Sequence, residues 1–177
     1  MSNIQMKSKN SVISKRGALL LIPGSKKGST LLVSPLGLSK GLLYSALCHI
    51  QPHHLFVITS ASAVDSFDEI AQKAGWSGES TIRHMQDPHS GFSEAESLAG
   101  AALPTILQVD QVVVNITGGT TAMQHIVQQI AARVKELGRP VRRVALVDRR
   151  SPQEQRDNPY VTGELIWLDG EKESNNI

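Results

Sequence analysis

The sequence predicts an α/β fold, a Rossmann-like three-layer sandwich with a mostly parallel sheet and extra antiparallel edge strands. Apolar segments typical of buried strands alternate four times with segments of helical periodicity, and the connections between them are short. The strand segments are almost continuously apolar, which is expected where helices cover both faces of a sheet. Polar turns that contain glycine follow two of these strands and open directly into helices.

The first half of the chain is predicted to contain a hairpin and two strand–helix units. The turn at 23–28 joins the two strands of the hairpin, and Ser39 is placed to cap the first helix, which Pro52 ends. Gly75 follows the end of the second helix, and a weaker strand comes next. The predicted strands are 18–22, 30–33, 55–58 and 80–85, and the predicted helices are 39–50 and 62–74.

The second half repeats the alternation. Ser93 and Glu96 have the spacing of a capping box for a helix through about residue 107. A strand at 112–116 precedes a long helix from about Thr120, whose apolar residues recur every three or four positions until Gly138 ends it. Further strands are predicted at 144–147 and 163–168. We expect the last one at an edge of the sheet, where it could pair with the N-terminal strand.

Length and composition favour one domain, at 17–170, between disordered ends at 1–16 and 171–177. The net charge is only +2 and no long Lys/Arg run occurs, so we expect a local anion pocket and no DNA partner. No apolar run could span a bilayer and no secretory signal is recognisable, which predicts a cytoplasmic protein without membrane contact. Cys48 is the only cysteine and the histidines lack ligand spacing, so no metal and no cofactor are predicted.

The most informative segment is the turn at 115–121, which follows the strand 112–116. Gly118 and Gly119 let the backbone approach a ligand without an intervening Cβ. The helix that begins there offers unpaired N–H groups and a positive dipole end, which suit a phosphate or a ribose oxygen. The turn also offers the hydroxyl groups of Thr117, Thr120 and Thr121. The alternative is a plain strand-to-helix turn capped by threonine.

A second turn of similar design, at 34–41, follows the strand 30–33. Ser39 can cap its helix and still face a ligand. Lys40 lies in the first helical turn, where the helix dipole disfavours a cation, and this suggests that its charge serves a ligand; a solvated lysine is the alternative. Neither turn has the spacing of a Walker P-loop or of the G-x-G-x-x-G dinucleotide motif. Together they predict a nucleotide or oligonucleotide ligand.

A third loop, at 87–92, follows the weaker strand and is expected on the same rim of the sheet. His89 could contact a base or a ribose, and Phe92 could stack on adenine. A solvated loop is the alternative for both residues.

The two turns resemble the ligand motifs of CARF (CRISPR-associated Rossmann fold) domains. The segment 115–123 resembles the second motif of that family, and the segment 34–41 is similar to the first. The residues that match are Asn115, Thr117, Gly118, Gly119, Thr120 and Met123 in the second motif, and Gly37, Ser39 and Gly41 in the first. The resemblance covers about 31–148, which is most of the predicted domain.

The resemblance implies a homodimer that binds a cyclic oligoadenylate, with cyclic tetra-adenylate as the first candidate, across its two-fold axis. CARF proteins without an effector domain resemble ring nucleases, in which a ribose 2′-OH attacks the adjacent phosphate without a metal. The implied catalytic residues are Ser39 and Lys40. The implied ligand contacts are Leu36, Gly37, Leu38, Gly41, Asn115, Thr117, Gly118, Gly119, Thr120, Thr121, Met123, His89 and Phe92.

One position departs from the family motif. The lysine that follows Gly-Gly-Thr in many members is Thr121 here, which removes a cation. Either Lys40 or another residue such as Lys26 replaces it, or the chain binds without fast cleavage. Three functions therefore stay open: a ring nuclease, a non-catalytic sensor or sponge that docks a separate effector, and a Rossmann-like protein that binds a mononucleotide or a sugar phosphate.

Overall fold

The computed structural model describes residues 28–169, which form a six-stranded sheet covered by helices on both faces. The strands are β1 (Thr30–Leu36), β2 (His54–Thr59), β3 (Glu79–His84), β4 (Gln111–Asn115), β5 (Val141–Val147) and β6 (Glu164–Trp167). The helices are α1 (Lys40–Ile50), α2 (Phe67–Lys73), α3 (Ala95–Ile106), α4 (Thr121–Glu136) and α5 (Pro152–Asp157). Short 3₁₀ turns at Val64–Ser66 and Phe92–Glu94 precede α2 and α3.

The strand order is β3-β2-β1-β4-β5-β6, and all neighbours are parallel except β5 and β6. This arrangement confirms the predicted Rossmann-like class with its antiparallel edge. The chain moves outward from β1 to β3 and then returns to β4, which pairs with the other side of β1. The carboxyl ends of β1 and β4 therefore flank the switch point of the sheet, where ligands bind in open α/β folds.

Successive side chains of the buried strands point to opposite faces and enter two separate apolar clusters. Leu31 and Val33 of β1 face α3 and α4, whereas Leu32 and Leu36 face α1 and α2. All four side chains are at most 1% exposed. The double coverage accounts for the nearly continuous apolar composition of the central strands, and it fixes the ends of β1 and β4 firmly in place.

Two predicted helix starts were wrong. The capping box expected from Ser93 and Glu96 does not form, because a 3₁₀ turn occupies Phe92–Glu94 and α3 begins at Ala95 without a side-chain cap. The Glu94 carboxylate instead accepts hydrogen bonds from the backbone of Gln86 and Asp87, at 2.9 and 3.0 Å. Similarly, the helix predicted at 62–74 starts with a 3₁₀ turn, and its α-helical part is only Phe67–Lys73.

Other boundaries also differ. β1 runs on to Leu36, so the first residues assigned to the turn at 34–41 belong to the strand. The short helix α5 was not predicted, although Ser151 and Glu154 form a capping box around Pro152. The last strand, β6, lies at the edge as expected. The strand predicted at 18–22 and the disordered ends fall outside the described residues.

The helix stops follow the sequence. Gly75 and Gly138 each follow the C-cap residue of α2 and α4, with φ values of +64° and +68°, a conformation that glycine adopts without strain. Within residues 28–169, every helix is too short or too polar to cross a bilayer.

Candidate ligand-binding site

The two glycine-containing turns are in direct contact. We call residues 34–41 turn 1 and residues 115–121 turn 2. A Cβ placed on Gly37 would lie 2.7 Å from the Cα of Gly119, closer than real Cβ atoms approach a neighbouring backbone. A Cβ on Gly119 would lie 3.1 Å from the Cβ of Pro35. The predicted proximity of the two turns is therefore observed, and it depends on glycine at both positions.

Turn 2 is held from within by Asn115. The Asn115 side chain is fully buried, and its Oδ1 accepts hydrogen bonds from the backbone N–H and the hydroxyl of Thr117, at 2.9 and 2.7 Å. Its Nδ2 donates to the carbonyl oxygen of Thr117 and to the hydroxyl of Ser34, both at 3.0 Å. Asn115 thus closes turn 2 and ties it to β1, and its polar atoms are used inside the protein.

The threonines of turn 2 have different environments. Thr117 Oγ1 accepts a hydrogen bond from the backbone N–H of Leu146 at 2.7 Å, which joins turn 2 to β5. Thr120 is the N-cap of α4: its hydroxyl accepts from Met123 N at 3.3 Å and donates to the carbonyl oxygen of Pro88. Thr121 is exposed. Of the three hydroxyls that the sequence offered to a ligand, two hold the fold.

The backbone of turn 2 remains available for an anion. The N–H groups of Gly118, Gly119 and Thr120 have no acceptor among residues 28–169. Gly118 and Gly119 both have positive φ, +97° and +65°, and the 16-residue helix α4 begins directly after them. Successive N–H groups that converge at a helix N-terminus form a concave site that favours negative charge.

Turn 1 is more open. Leu38 is 81% exposed, the highest value among the large apolar residues that the structure describes. Ser39 is the N-cap residue of α1, but its hydroxyl makes no cap hydrogen bond and has no other partner within the described part of the chain. The first turn of α1 holds no acidic residue, so its positive end is not neutralised. Turn 1 therefore exposes an apolar side chain, Leu38, next to a hydroxyl without a partner, that of Ser39.

Two of the predicted contact residues lie below this surface. Leu36 and Met123 are each 1% exposed and belong to the two apolar clusters. The sulfur of Met123 would be only 2.6 Å from a Cβ on Gly119. Leu36 lies beneath turn 1 and Met123 beneath turn 2. Because both are buried, neither is placed to contact a ligand directly, contrary to the prediction.

Lys40 is not free at the site. Its Nζ lies 2.6 Å from Oε2 of Glu69 on α2. The hydrogen bond with Glu69 raises the pKa of Lys40, and the same bond lowers the pKa of Glu69, so both groups are charged at neutral pH. The cation that the sequence assigned to the ligand is therefore already paired.

The loop at 87–92 contacts turn 2 through Pro88. Within the loop, the Asp87 carboxylate accepts hydrogen bonds from the Ser90 hydroxyl and from the backbone of Ser90 and His89, which lowers the pKa of Asp87 to about 2. The imidazole of His89 is exposed. Phe92 is 43% exposed and packs edge-on against His125 of α4, with ring centroids 5.5 Å apart. The loop thus lies on the predicted rim, but Phe92 points towards α4.

A feature that sequence reasoning missed is the segment 148–163, which packs over α1. A Cβ on Gly41 would lie 2.6 Å from the carbonyl oxygen of Pro159, so Gly41 permits this packing. The backbone N–H of Gly163 donates to Ser45 Oγ at 2.9 Å, and its oxygen lies 2.7 Å from His49 Nε2. Between this segment and turn 1 is a cavity of about 370 Å³. Its polar lining includes Ser39, Lys40, Asp148, Arg150, Gln155 and Arg156.

A larger cavity, of about 670 Å³, lies between α3 and α4. Phe92 and His125 line its upper end, and small residues such as Ala99 and Gly100 line its length. The glycines of turn 1 and turn 2 do not take part in it.

The fold is similar to that of solved type III CRISPR proteins, although no family model matches the chain and no curated protein matches its sequence. Can2 from Sulfobacillus thermosulfidooxidans, solved in complex with cyclic tetra-adenylate (cA4), aligns with a TM-score of 0.55 at 11% identity over 67% of this chain. A type III CRISPR defence DNA nuclease activated by cyclic oligoadenylate aligns with a TM-score of 0.52 at 18% identity over 68%. The aligned parts make up 32% and 19% of those two chains. At such identities the likeness establishes a shared fold.

Proposed function

We propose that this chain binds a cyclic oligoadenylate, with cyclic tetra-adenylate as the first candidate, where turn 1 meets turn 2. The observation that carries the proposal is the contact of Gly37 with Gly119, which merges two backbone turns into one surface at the switch point of the sheet. The CARF-like residues of both turns and the fold shared with Can2 and the defence nuclease support the same ligand class.

The chemistry of the surface suits a ring of phosphodiesters. The free N–H groups of Gly118, Gly119 and Thr120 are donors for phosphate oxygens, and the N-terminal ends of α1 and α4 favour negative charge. Leu38 offers an exposed apolar contact for a base. A ring of identical units presents the same face to two copies of the chain, so we propose a homodimer that shares one ligand across its axis.

For cleavage, we propose attack of a ribose 2′-oxygen on the adjacent phosphorus. The bond from phosphorus to the 5′-oxygen breaks, and the products are a 2′,3′-cyclic phosphate and a 5′-hydroxyl end. The 2′-OH proton passes to solvent and the leaving 5′-oxygen takes a proton from water. Ser39, whose hydroxyl is unpartnered, would orient the ribose or a phosphate oxygen, and the Gly118 and Gly119 N–H groups would stabilise the charge on the phosphorane.

One observation favours a second function, a sensor or sponge that binds the same ligand and docks a separate effector. Lys40 is paired with Glu69, and Thr121 stands where many relatives of this motif have lysine. Both facts lower the positive charge available to stabilise the transition state, whereas the backbone donors of turn 2 are still available to bind the ligand.

A single assay separates the proposals. The purified chain is incubated with radiolabelled cyclic tetra-adenylate in EDTA, and the mixture is run on a native gel and on a denaturing gel. Conversion to a linear product supports the ring nuclease, and a mobility shift without conversion supports the sensor. If neither occurs with the tetramer or the hexamer, the proposal fails and a mononucleotide or sugar phosphate becomes the ligand to test.

Ser39→Ala tests the proposed catalytic role. We expect slower cleavage with a smaller loss of affinity, because the hydroxyl acts mainly in the transition state. Ser77→Ala, at an exposed serine next to β3, is the matched control and should leave both quantities unchanged. Equal loss of cleavage and binding in Ser39→Ala would reduce Ser39 to a simple contact.

A further inference from the structure

Arg150 is the best-oriented cation beside turn 1. Its Nε and Nη2 donate to the two carboxylate oxygens of Asp148, at 3.0 and 2.6 Å. Its Nη1 donates to the carbonyl oxygen of Asn158 at 2.8 Å. A guanidinium carries five N–H donors, and three of those of Arg150 are used in these bonds, so two have no acceptor among residues 28–169. The group is therefore fixed in orientation and still able to donate twice.

Arg150 lies beside turn 1. Its side chain is 23% exposed and lines the 370 Å³ cavity that Ser39 and Lys40 of turn 1 also line. The same cavity reaches Leu42, whose Cδ1 would be 3.3 Å from a Cβ on Gly118 of turn 2. An anion bound in this space would contact turn 1 on one side and the Arg150 guanidinium on the other.

The neighbouring cations are less suited to this role. Lys40 is paired with Glu69. Arg149 points to Glu164, with Nε 2.7 Å from Oε1, and is absent from the cavity lining. Arg156 is exposed and donates to Gln153 at 2.8 Å. Arg150 is also paired, with Asp148, but three bonds hold its guanidinium in one plane beside the cavity and leave two donors without an acceptor among residues 28–169.

We propose that Arg150 binds a phosphate group of the ligand and so supplies the cation that is missing at Thr121. This inference rests on the proposed function. The two donors left on Arg150, one on Nη1 and one on Nη2, belong to a guanidinium held in one plane and can bond phosphate oxygens in a fixed geometry, which a flexible ammonium does not reproduce. Asp148 acts as a positioning residue: it fixes the guanidinium plane and does not itself contact the ligand.

The first test compares Arg150→Met with Arg149→Met, which removes the same charge one residue away. In a titration with cyclic tetra-adenylate, we expect Arg150→Met to weaken binding about tenfold or more, the size of one good charge-assisted contact. The slope of log affinity against log salt should also fall by roughly one. Arg149→Met should stay close to wild type. Equal affinities of the two variants would overturn the assignment.

Asp148→Asn separates orientation from overall charge. The substitution makes the site more positive, so general electrostatic attraction predicts tighter binding. If Asp148 positions Arg150, binding should instead weaken, because the amide keeps only one acceptor for the guanidinium and its NH₂ group faces the donor that lost its partner. Tighter or unchanged binding by Asp148→Asn would contradict the positioning role.

Two further measurements keep the inference testable in every case. If Arg150→Met unfolds, Arg150→Lys and Arg149→Lys replace the pair, and only Arg150→Lys should lose affinity, because it keeps the charge but loses the paired donors. If wild type binds no cyclic oligoadenylate, the proposed function fails. Inorganic pyrophosphate is then the probe: it should raise the Tm of wild type and Arg149→Met but not of Arg150→Met, and equal Tm shifts would overturn the Arg150 inference.

Discussion

Turn 1 and turn 2 look alike in sequence but are built differently. In turn 2, the side chains of Asn115 and Thr117 bond to one another and to β1 and β5, so the backbone is held rigidly and its N–H groups are left free. In turn 1, Ser39 has an unpartnered hydroxyl and Leu38 is exposed. In the proposed site, the backbone donors would therefore come from turn 2 and the side chains from turn 1.

The comparison also predicts which substitutions should lower stability and which should lower ligand affinity. A change at Asn115 of turn 2 should destabilise the whole protein, because its buried amide makes four hydrogen bonds that hold the turn. A change in the exposed side chains of turn 1 should alter binding and leave stability nearly unchanged. The contact of Gly37 with Gly119 belongs to both turns and should affect both quantities.

The largest effect is expected from Asn115→Ala, which removes four hydrogen bonds from turn 2 and leaves the Thr117 groups unsatisfied. We expect a loss of about 2–4 kcal/mol in the free energy of unfolding, measured by urea denaturation, together with loss of ligand binding. Asn158→Ala, at an exposed asparagine, is the control and should be close to neutral. A folded Asn115→Ala variant with normal stability would show that turn 2 is not locked by this side chain.

Gly37→Ala should have the next largest effect, because one methyl group would be forced between the two turns. We expect a loss of about 1–3 kcal/mol in stability and at least a strong reduction in affinity, since the turns must separate. Gly100→Ala places the same methyl on α3, where nothing lies within 4 Å, and should stabilise the protein by roughly 0.5–1 kcal/mol. Equal behaviour of the two variants would argue against a tight contact.

Leu38→Ser tests the prediction that exposed side chains of turn 1 affect binding and not stability. The side chain is 81% exposed, so the free energy of unfolding should change by less than about 0.5 kcal/mol. Affinity for the cyclic oligoadenylate should fall because an apolar contact with a base is lost. A parallel drop in stability and affinity would mean that turn 1 is as tightly integrated as turn 2.

The smallest effect is expected from Glu69→Gln, which releases Lys40 without altering turn 1. Freed of its partner, the Lys40 ammonium should raise affinity severalfold at low salt, whereas Glu79→Gln, at an exposed carboxylate on β3, should not. Because the pKa of Glu69 is lowered, the pair persists at neutral pH, and wild type should approach the variant only as pH falls below 4.5 and Glu69 becomes protonated. Unchanged affinity at neutral pH would show that Lys40 does not face the ligand.

Much of the architecture could be predicted because it depends on local pattern. The apolar runs of the strands, the periodicity of α4 and the glycine after it identify the elements and their order. The capping box at Ser93 failed because a 3₁₀ turn occupies Phe92–Glu94 and α3 starts only at Ala95. The Glu94 carboxylate ties that turn to the backbone of Gln86 and Asp87, a tertiary contact that residue spacing does not encode.

The site was predictable only in part for the same reason. The proximity of Gly37 and Gly119 follows from the pairing of β1 with β4 and the turns that end them. The pairing of Lys40 with Glu69 joins residues 29 positions apart and has no local signal. Arg150, for which we propose a role, was not singled out; the Ser151–Glu154 capping box predicts the start of α5 next to it, but spacing does not encode how that segment packs on α1.

The pairing of β1 with β4 at the centre of the sheet has a consequence for how the protein fails on heating. Both strands are covered on each side by apolar clusters, and their ends carry the two turns directly. The proposed binding surface is thus attached directly to the two central strands. Ligand binding and the folded core should therefore be lost at the same temperature. Amide protons in β1 and β4 should be among the last to exchange with solvent.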